Sequence, residues 1–297
     1  MFSRSLLLLQ LLIFIGISIS GCFGGSEKPK VPKKLTVGVV NYGQTKLSQQ
    51  QYNRFKTYLS TKTQSVVDIE PTYNELRAIR QIRSRNWDMV FAPPGLAAIA
   101  IGKKRYEAIF SMAEVSSVQT PLIIVRDDSP IQKISDLANK TIALGQKGSA
   151  AGYYVPLYDL FGLTLKEINF ASTPKKLMEL ISQGTVDAGA ISKKNFERYR
   201  QVKPKTNFRI IHEGRYIPSG VVLLAPTVER NREQQIRRAM EQAPAHITAD
   251  AGYVPSATIP NYKQFIKLVE KVRPLEQRVE ETPAVLLYPT ESTAANE

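Results

Sequence analysis

The stretch of this chain best fitted to hold a ligand is Gly148-Ser149-Ala150-Ala151-Gly152. Ahead of it, Thr141 to Leu144 is an apolar run suited to a buried parallel strand. Gly145 and Gly148 bracket a tight turn, and Ser149 is a good N-cap for a helix predicted over residues 149–162. Pro156 falls inside that helix and predicts a kink or a short first segment. A helix that starts at the carboxyl end of a parallel strand offers free backbone N–H groups and a partial positive charge. Its chemistry is anion capture at a sheet edge where ligands bind in open α/β folds. An ordinary capped strand-to-helix turn has the same residues, so the rest of the chain must decide.

Bond-making chemistry has little support. Histidine occurs only as His212 and His246, which lack metal-ligand spacing, and no Cys–His or Ser–His–Asp order fits the expected cleft edge. His212 reads as a partly exposed residue in a strand, and Asp187 as a structural or cleft-edge acceptor. There is no Walker loop. No catalytic set, no metal site and no cofactor is therefore expected.

The elements that must position the helix start alternate along the chain. Strands are predicted at Leu35–Val40, Val66–Ile69, Trp87–Phe91, Ala108–Met112 and Leu122–Val125. A second series follows at 141–145, 168–170, 186–191, 207–211 and 220–224, with helices between. Alternation of this kind means an α/β protein with parallel sheets covered on both faces. Asn41-Tyr42-Gly43-Gln44 is the loop at the end of the first strand, and Ala92-Pro93-Pro94-Gly95 closes the third. The last residues, 283–297, read as a loosely held tail.

A length of 297 residues with 43% hydrophobic residues excludes a mostly disordered chain. The net charge is +14, from 40 Lys and Arg against 26 Asp and Glu. That charge is spread over short clusters such as Lys103-Lys104-Arg105 and Arg237-Arg238, without the aromatic-and-basic pattern of an RNA platform. A solvated basic surface is expected, not a nucleic-acid partner. Such a surface suits anionic lipid headgroups or the steering of anions toward a cleft.

The N-terminus has the layout of an export signal over residues 1–21: Arg4, an apolar run from Leu6 to Ile15, then Ile19-Ser20-Gly21-Cys22. Ile-Ser-Gly-Cys resembles the lipobox of bacterial lipoproteins, which implies lipidation at Cys22. Cys22 is the one cysteine of the chain, so no internal disulfide is possible. Residues 22–34, rich in Gly, Pro and Lys, read as a lipidated tether. The resemblance implies a place in the cell envelope facing the periplasm or exterior. Phe23 favours the outer membrane in a Gram-negative cell.

One family resemblance covers residues 35–240. It rests on the first strand, on Ser135-Asp136-Leu137 through Lys140-Thr-Ile-Ala-Leu-Gly145, on the Gly148–Tyr158 stretch, and on Val186-Asp-Ala-Gly-Ala-Ile191. Together these resemble the substrate-binding proteins of phosphate, phosphite and phosphonate ABC importers, of the type II periplasmic-binding-protein fold. The resemblance implies two α/β lobes with the ligand in the cleft between them. Lobe one would be 35–125 plus 221–282, and lobe two 126–220, with hinge closure on a small ligand. Position by position the match is partial. The family's Ser-Thr-Ser-Gly run is here Ser149-Ala150-Ala151-Gly152, its lobe-two His falls on Pro174, and its Asp near the strand returning to lobe one falls on Gly220. Its tyrosine after the second strand is matched by Tyr73. The expected ligand-binding residues are Tyr42, Gln44, Tyr73, Pro94, Gly95, Ser149, Ala150 and Ala151. The implied partner is an ABC permease. The alternative partner is a membrane sensor kinase, if the fold serves ligand sensing instead.

Overall fold

The computed structural model describes residues 33–40, 48–72, 75–113, 120–200, 206–288. The strands are β1 (Lys34–Val40), β2 (Val66–Thr72), β3 (Met89–Ala92), β4 (Glu107–Met112), β5 (Pro121–Arg126), β6 (Thr141–Leu144), β7 (Thr164–Leu165), β8 (Glu167–Phe170), β9 (Ala188–Ser192), β10 (Phe208–Glu213), β11 (Val221–Leu224), β12 (Tyr253–Val254) and β13 (Ala284–Val285). The α-helices are α1 (Gln49–Thr63), α2 (Glu75–Arg83), α3 (Pro94–Lys104), α4 (Val155–Asp159), α5 (Pro174–Ser182), α6 (Lys193–Tyr199), α7 (Arg230–Glu241), α8 (Ala245–Ala251) and α9 (Lys263–Val272).

Two sheets organise these elements. One has six strands in the order β12-β4-β11-β3-β1-β2, and the other five in the order β10-β5-β9-β6-β8. Both are mixed, where alternation alone predicts parallel sheets. β1 pairs in parallel with β2 and β3, but β11 lies antiparallel between β3 and β4. In the second sheet β6 is parallel to β8 and β9, while β5 runs antiparallel to β9 and β10. A strand that enters from the other sheet, as β5 and β11 do, has no crossover helix to impose a parallel course.

Two expected boundaries need correction. Residues 121–125 were expected to belong with lobe one, yet β5 hydrogen-bonds only within the second sheet. The tail expected to be loose from 283 is held over its described part. Ala284 and Leu286 are fully buried, and β13 pairs with β7. An apolar patch of this length is too short to show a periodicity, so its burial is decided by tertiary packing.

The largest core cluster runs across both sheets. It joins Ile79 and Ile82 of α2 and Leu96 and Ala97 of α3 to Tyr153, Leu157, Phe265 and Val269. Separate clusters fill the outer faces, around Phe55 and Phe91 on the first sheet and Leu177 and Ile181 on the second. α9 packs on both α3 and α4. Where Arg54 and Asp250 join α1 to α8 through two short bonds (2.6 and 2.7 Å), the guanidinium holds the Asp250 carboxyl below the usual range.

Trp87 sets a packing constraint in the first sheet. The indole is 1% exposed, and its Nε1 donates to Glu70 at 2.7 Å. Its backbone carbonyl accepts from the buried Tyr106 hydroxyl at 2.9 Å. The ring lies flat on Gly38, where an added Cβ would stand 2.2 Å from two ring atoms. The indole is buried and tied through its N–H to Glu70, and its backbone is held by Tyr106, so the ring has little room to give way. Gly38→Ala is expected to cost about 2 kcal/mol of stability, an overpacking penalty, measurable by urea unfolding. An unchanged midpoint would contradict this packing.

Candidate functional site

A cavity of about 300 Å³ opens at the carboxyl edges of both sheets. Its walls are built from strand-to-helix turns. β3 leads into α3 through Pro93 and Pro94, β6 into the helix start at Ala150, β8 into α5 through Ser172, Thr173 and Pro174, and β9 into α6 at Ser192. Glu75, which opens α2, also lines it. Several helix N-termini therefore face one space, and each adds a partial positive charge.

The caps are hydroxyls. Ser149 Oγ accepts from the Gly152 N–H at 3.1 Å, Thr173 Oγ1 from Lys176 N–H at 3.1 Å, and Ser192 Oγ from Asn195 N–H at 3.3 Å. Each cap consumes one lone pair and leaves the hydroxyl free to donate to a ligand. The first N–H groups of a helix have no partner inside it, and here they belong to Ala150 and Ala151. Pro94, Ala171, Leu177 and Ile191 supply the apolar part of the wall.

Locally the helix differs from expectation. Residues 149–162 were expected as one helix. Instead Ala150–Tyr154 forms a π turn, with the Tyr154 N–H on the Ser149 carbonyl at 3.0 Å, and α4 follows. Pro156 then sits in the first turn of α4, where a missing N–H is tolerated. The Gly145 N–H donates to the Gly152 carbonyl at 2.8 Å, which pins the turn. Behind it, burial first and the Glu276 carboxylate second push the Tyr153 and Tyr154 phenols up. Both stay neutral core residues.

Of the expected site residues, Pro94, Ser149, Ala150 and Ala151 line this cavity. Gly95 is buried next to Pro94 but faces the loop rather than the space. An added Cβ there would lie 2.0 Å from the Gly148 carbonyl oxygen and 3.1 Å from Ala150 N. Tyr42, Gln44 and Tyr73 lie outside the described residues, as does Cys22. Sequence reasoning passed over Glu75, Gln146, Ser172, Thr173, Ser192 and Asn195 as lining residues. Thr173-Pro174 and Ser192 carry a helix-start signature, so their elements were legible; their convergence was not.

The remaining candidates have structural partners. Asp187 Oδ2 accepts from the Thr141 N–H at 2.8 Å and from its hydroxyl at 2.7 Å, clasping β6 to the segment ahead of β9. His212 Nε2 lies 3.0 Å from Asp159, away from the cavity. Among the described residues, no group of three or more His, Cys, Asp or Glu could hold a metal ion. Among the described residues the cavity lining contains no basic side chain, and Glu75 is its one ionisable residue. The arrangement can bind a small ligand with an oxyanion end and an apolar end.

The family described as ABC transporter, phosphonate, periplasmic substrate-binding protein matches residues 37–258. A curated relative, the probable ABC transporter phosphite binding protein PhnD1 of Prochlorococcus marinus (strain MIT 9301), is 23% identical over 188 residues. That match takes in 59% of this chain and 63% of the relative, so the chain spans a little under two thirds of its length. The solved structure of PhnD1 from the same organism in complex with methylphosphonate superposes with a TM-score of 0.61 at 18% identity, covering 82% of this chain and 99% of that one. A binding protein component of an ABC phosphonate transporter from Pseudomonas aeruginosa gives 0.60 at 17% identity, with 84% and 88% covered. These superpositions establish the type II periplasmic-binding-protein fold.

Proposed function

The chain belongs to the periplasmic substrate-binding proteins of phosphonate ABC transporters, and on that premise we propose that it captures a small phosphonate or phosphite in the cavity between the two sheets. The family is one of solute-binding proteins outside the cytoplasm, not of enzymes. The single observation behind the ligand class is the convergence of strand-to-helix turns on one cavity. In this reading the oxyanion rests on the Ala150 and Ala151 N–H groups. Hydroxyls of Ser149, Thr173 and Ser192 complete its shell, and Pro94, Leu177 and Ile191 take the small apolar substituent. Pro174, standing where the family's histidine is expected, adds apolar wall instead of a donor. Tyr42, Gln44 and Tyr73 belong to the same proposal as residues of the cleft rim.

The lobes are assigned to the two sheets and close by a hinge, and the closed form is handed to an ABC permease. A partner of that kind is what the family supports, in preference to a sensor kinase. Calorimetry and thermal shift on the purified chain in detergent, with methylphosphonate, phosphite, phosphate and sulfate, test the ligand. At a hundred times its dissociation constant a ligand adds about 2.7 kcal/mol, roughly 5–10 °C for a chain of this size. Silence toward every phosphorus oxyanion would overturn the assignment.

The lipid anchor at Cys22 is proposed on the lipobox-like Ile19-Ser20-Gly21-Cys22. Several acyl chains hold a protein on a bilayer where one is marginal. Cys22→Ala is expected to move the protein from the membrane pellet to the soluble envelope fraction. Retention in the membranes would count against the anchor.

A further inference from the structure

A second cavity of about 310 Å³ lies apart from the first, on the other side of the loop that precedes Ser149. Its walls come from both halves of the molecule. α2 and α3 supply one side, Lys147 and Tyr154 another, and α9 with the turn after it the third. Arg83, Lys103, Lys104 and Arg273 line it, and among the described residues none of these four has an ion-pair partner. Lys147 also faces it, bound to Glu276 at 2.7 Å. Glu270 is the remaining carboxylate of the wall. Among the described residues, five cations thus meet two anions around one cavity.

Each cation also stands near the end of a helix or in a turn, where it offsets exposed carbonyls. That role does not need the charges to share a cavity. We propose that this second cavity is a binding site for a polyvalent phosphate-type oxyanion, larger in charge than the ligand of the first cavity. Convergent cations around a concave space raise the local concentration of such an anion, and Arg83 and Arg273 can each present two N–H groups to it. The occupant bridges α2 and α3 to Lys147. Because Gln146 and Ser149, on either side of Lys147, line the first cavity, the two sites share one loop. The proposal stands on its own geometry and does not depend on the identity of the first ligand.

The test uses the full chain in detergent with pyrophosphate as probe, followed by calorimetry at several salt concentrations. Saturable binding that weakens with salt is expected. In the combined variant Arg83→Gln, Lys103→Gln, Lys104→Gln it should weaken at least tenfold, with the melting temperature held. These side chains lie at the surface or half-buried, so the variant should fold. Ser149→Asp in the first cavity should leave pyrophosphate binding in place. Loss of pyrophosphate binding in Ser149→Asp, equal binding in the combined variant, or no binding to the unaltered chain would each overturn the second site. The last result would leave the cations as helix-end partners only. A chain that binds pyrophosphate here but no methylphosphonate would fail the functional proposal and keep this one.

Discussion

Ser149→Asp weakens methylphosphonate binding about a hundredfold and leaves the fold intact: this is the result expected to be largest at the site. Aspartate is as good an N-cap as serine, and its charge suits a helix start, so the bond to the Gly152 N–H is kept. The same charge stands where the ligand's oxyanion is proposed to rest. Two like charges about 5 Å apart at an effective dielectric near 20 repel by about 3 kcal/mol, on the order of a hundredfold in affinity. The design separates binding from folding, because a neutral capping loss would move both. Calorimetry reads the affinity, and a melting curve reads the fold. Retained affinity would move the oxyanion away from Ala150 and Ala151.

Gly95→Ala is the second large effect. The new methyl would lie 2.0 Å from the Gly148 carbonyl oxygen, a backbone atom. Gly148 itself has φ +105° and lies against Glu75, where its own added Cβ would be 2.7 Å from the Glu75 Cβ. The loop is therefore walled in on two sides. Gly95 starts α3 beside the first sheet, whereas Gly148 follows β6 of the second. The clash can be relieved only by parting the two halves at this edge, at a cost of about 2–3 kcal/mol. Relief by opening appears as a weaker ligand affinity, roughly thirty- to a hundredfold, with a smaller change in melting temperature. A variant with native affinity and native melting temperature would contradict the contact.

The sequence made the elements legible where one residue type settles the matter locally. Ser149, Thr173 and Ser192 announce helix starts because a short hydroxyl satisfies an orphan N–H. The buried strands Met89–Ala92 and Val221–Leu224 are apolar without interruption because both faces are covered. What could not be read was the meeting of distant turns. Glu75 and Ser192 border one cavity although more than a hundred positions separate them. β11 enters the first sheet antiparallel because of where the chain comes from, a fact of topology and not of composition. The π turn at Ala150–Tyr154 also escaped notice, since small residues followed by two tyrosines fit an α-helix equally well.

The pairing of β13 with β7 changes the mechanics of the whole. A hinge made of two crossing segments leaves one soft rotation. Here the segment after α9, a helix that packs on both α3 and α4, pairs through β13 with β7. In the proposed hinge closure that pairing would act as a check strap on the rotation. On the proposed closure it would limit the widest opening and raise the share of time the unliganded protein spends in a binding-competent shape. The apparent dissociation constant is the intrinsic value divided by that share, so on the proposed closure residues near 284–286 would tune capture from a distance without touching the ligand.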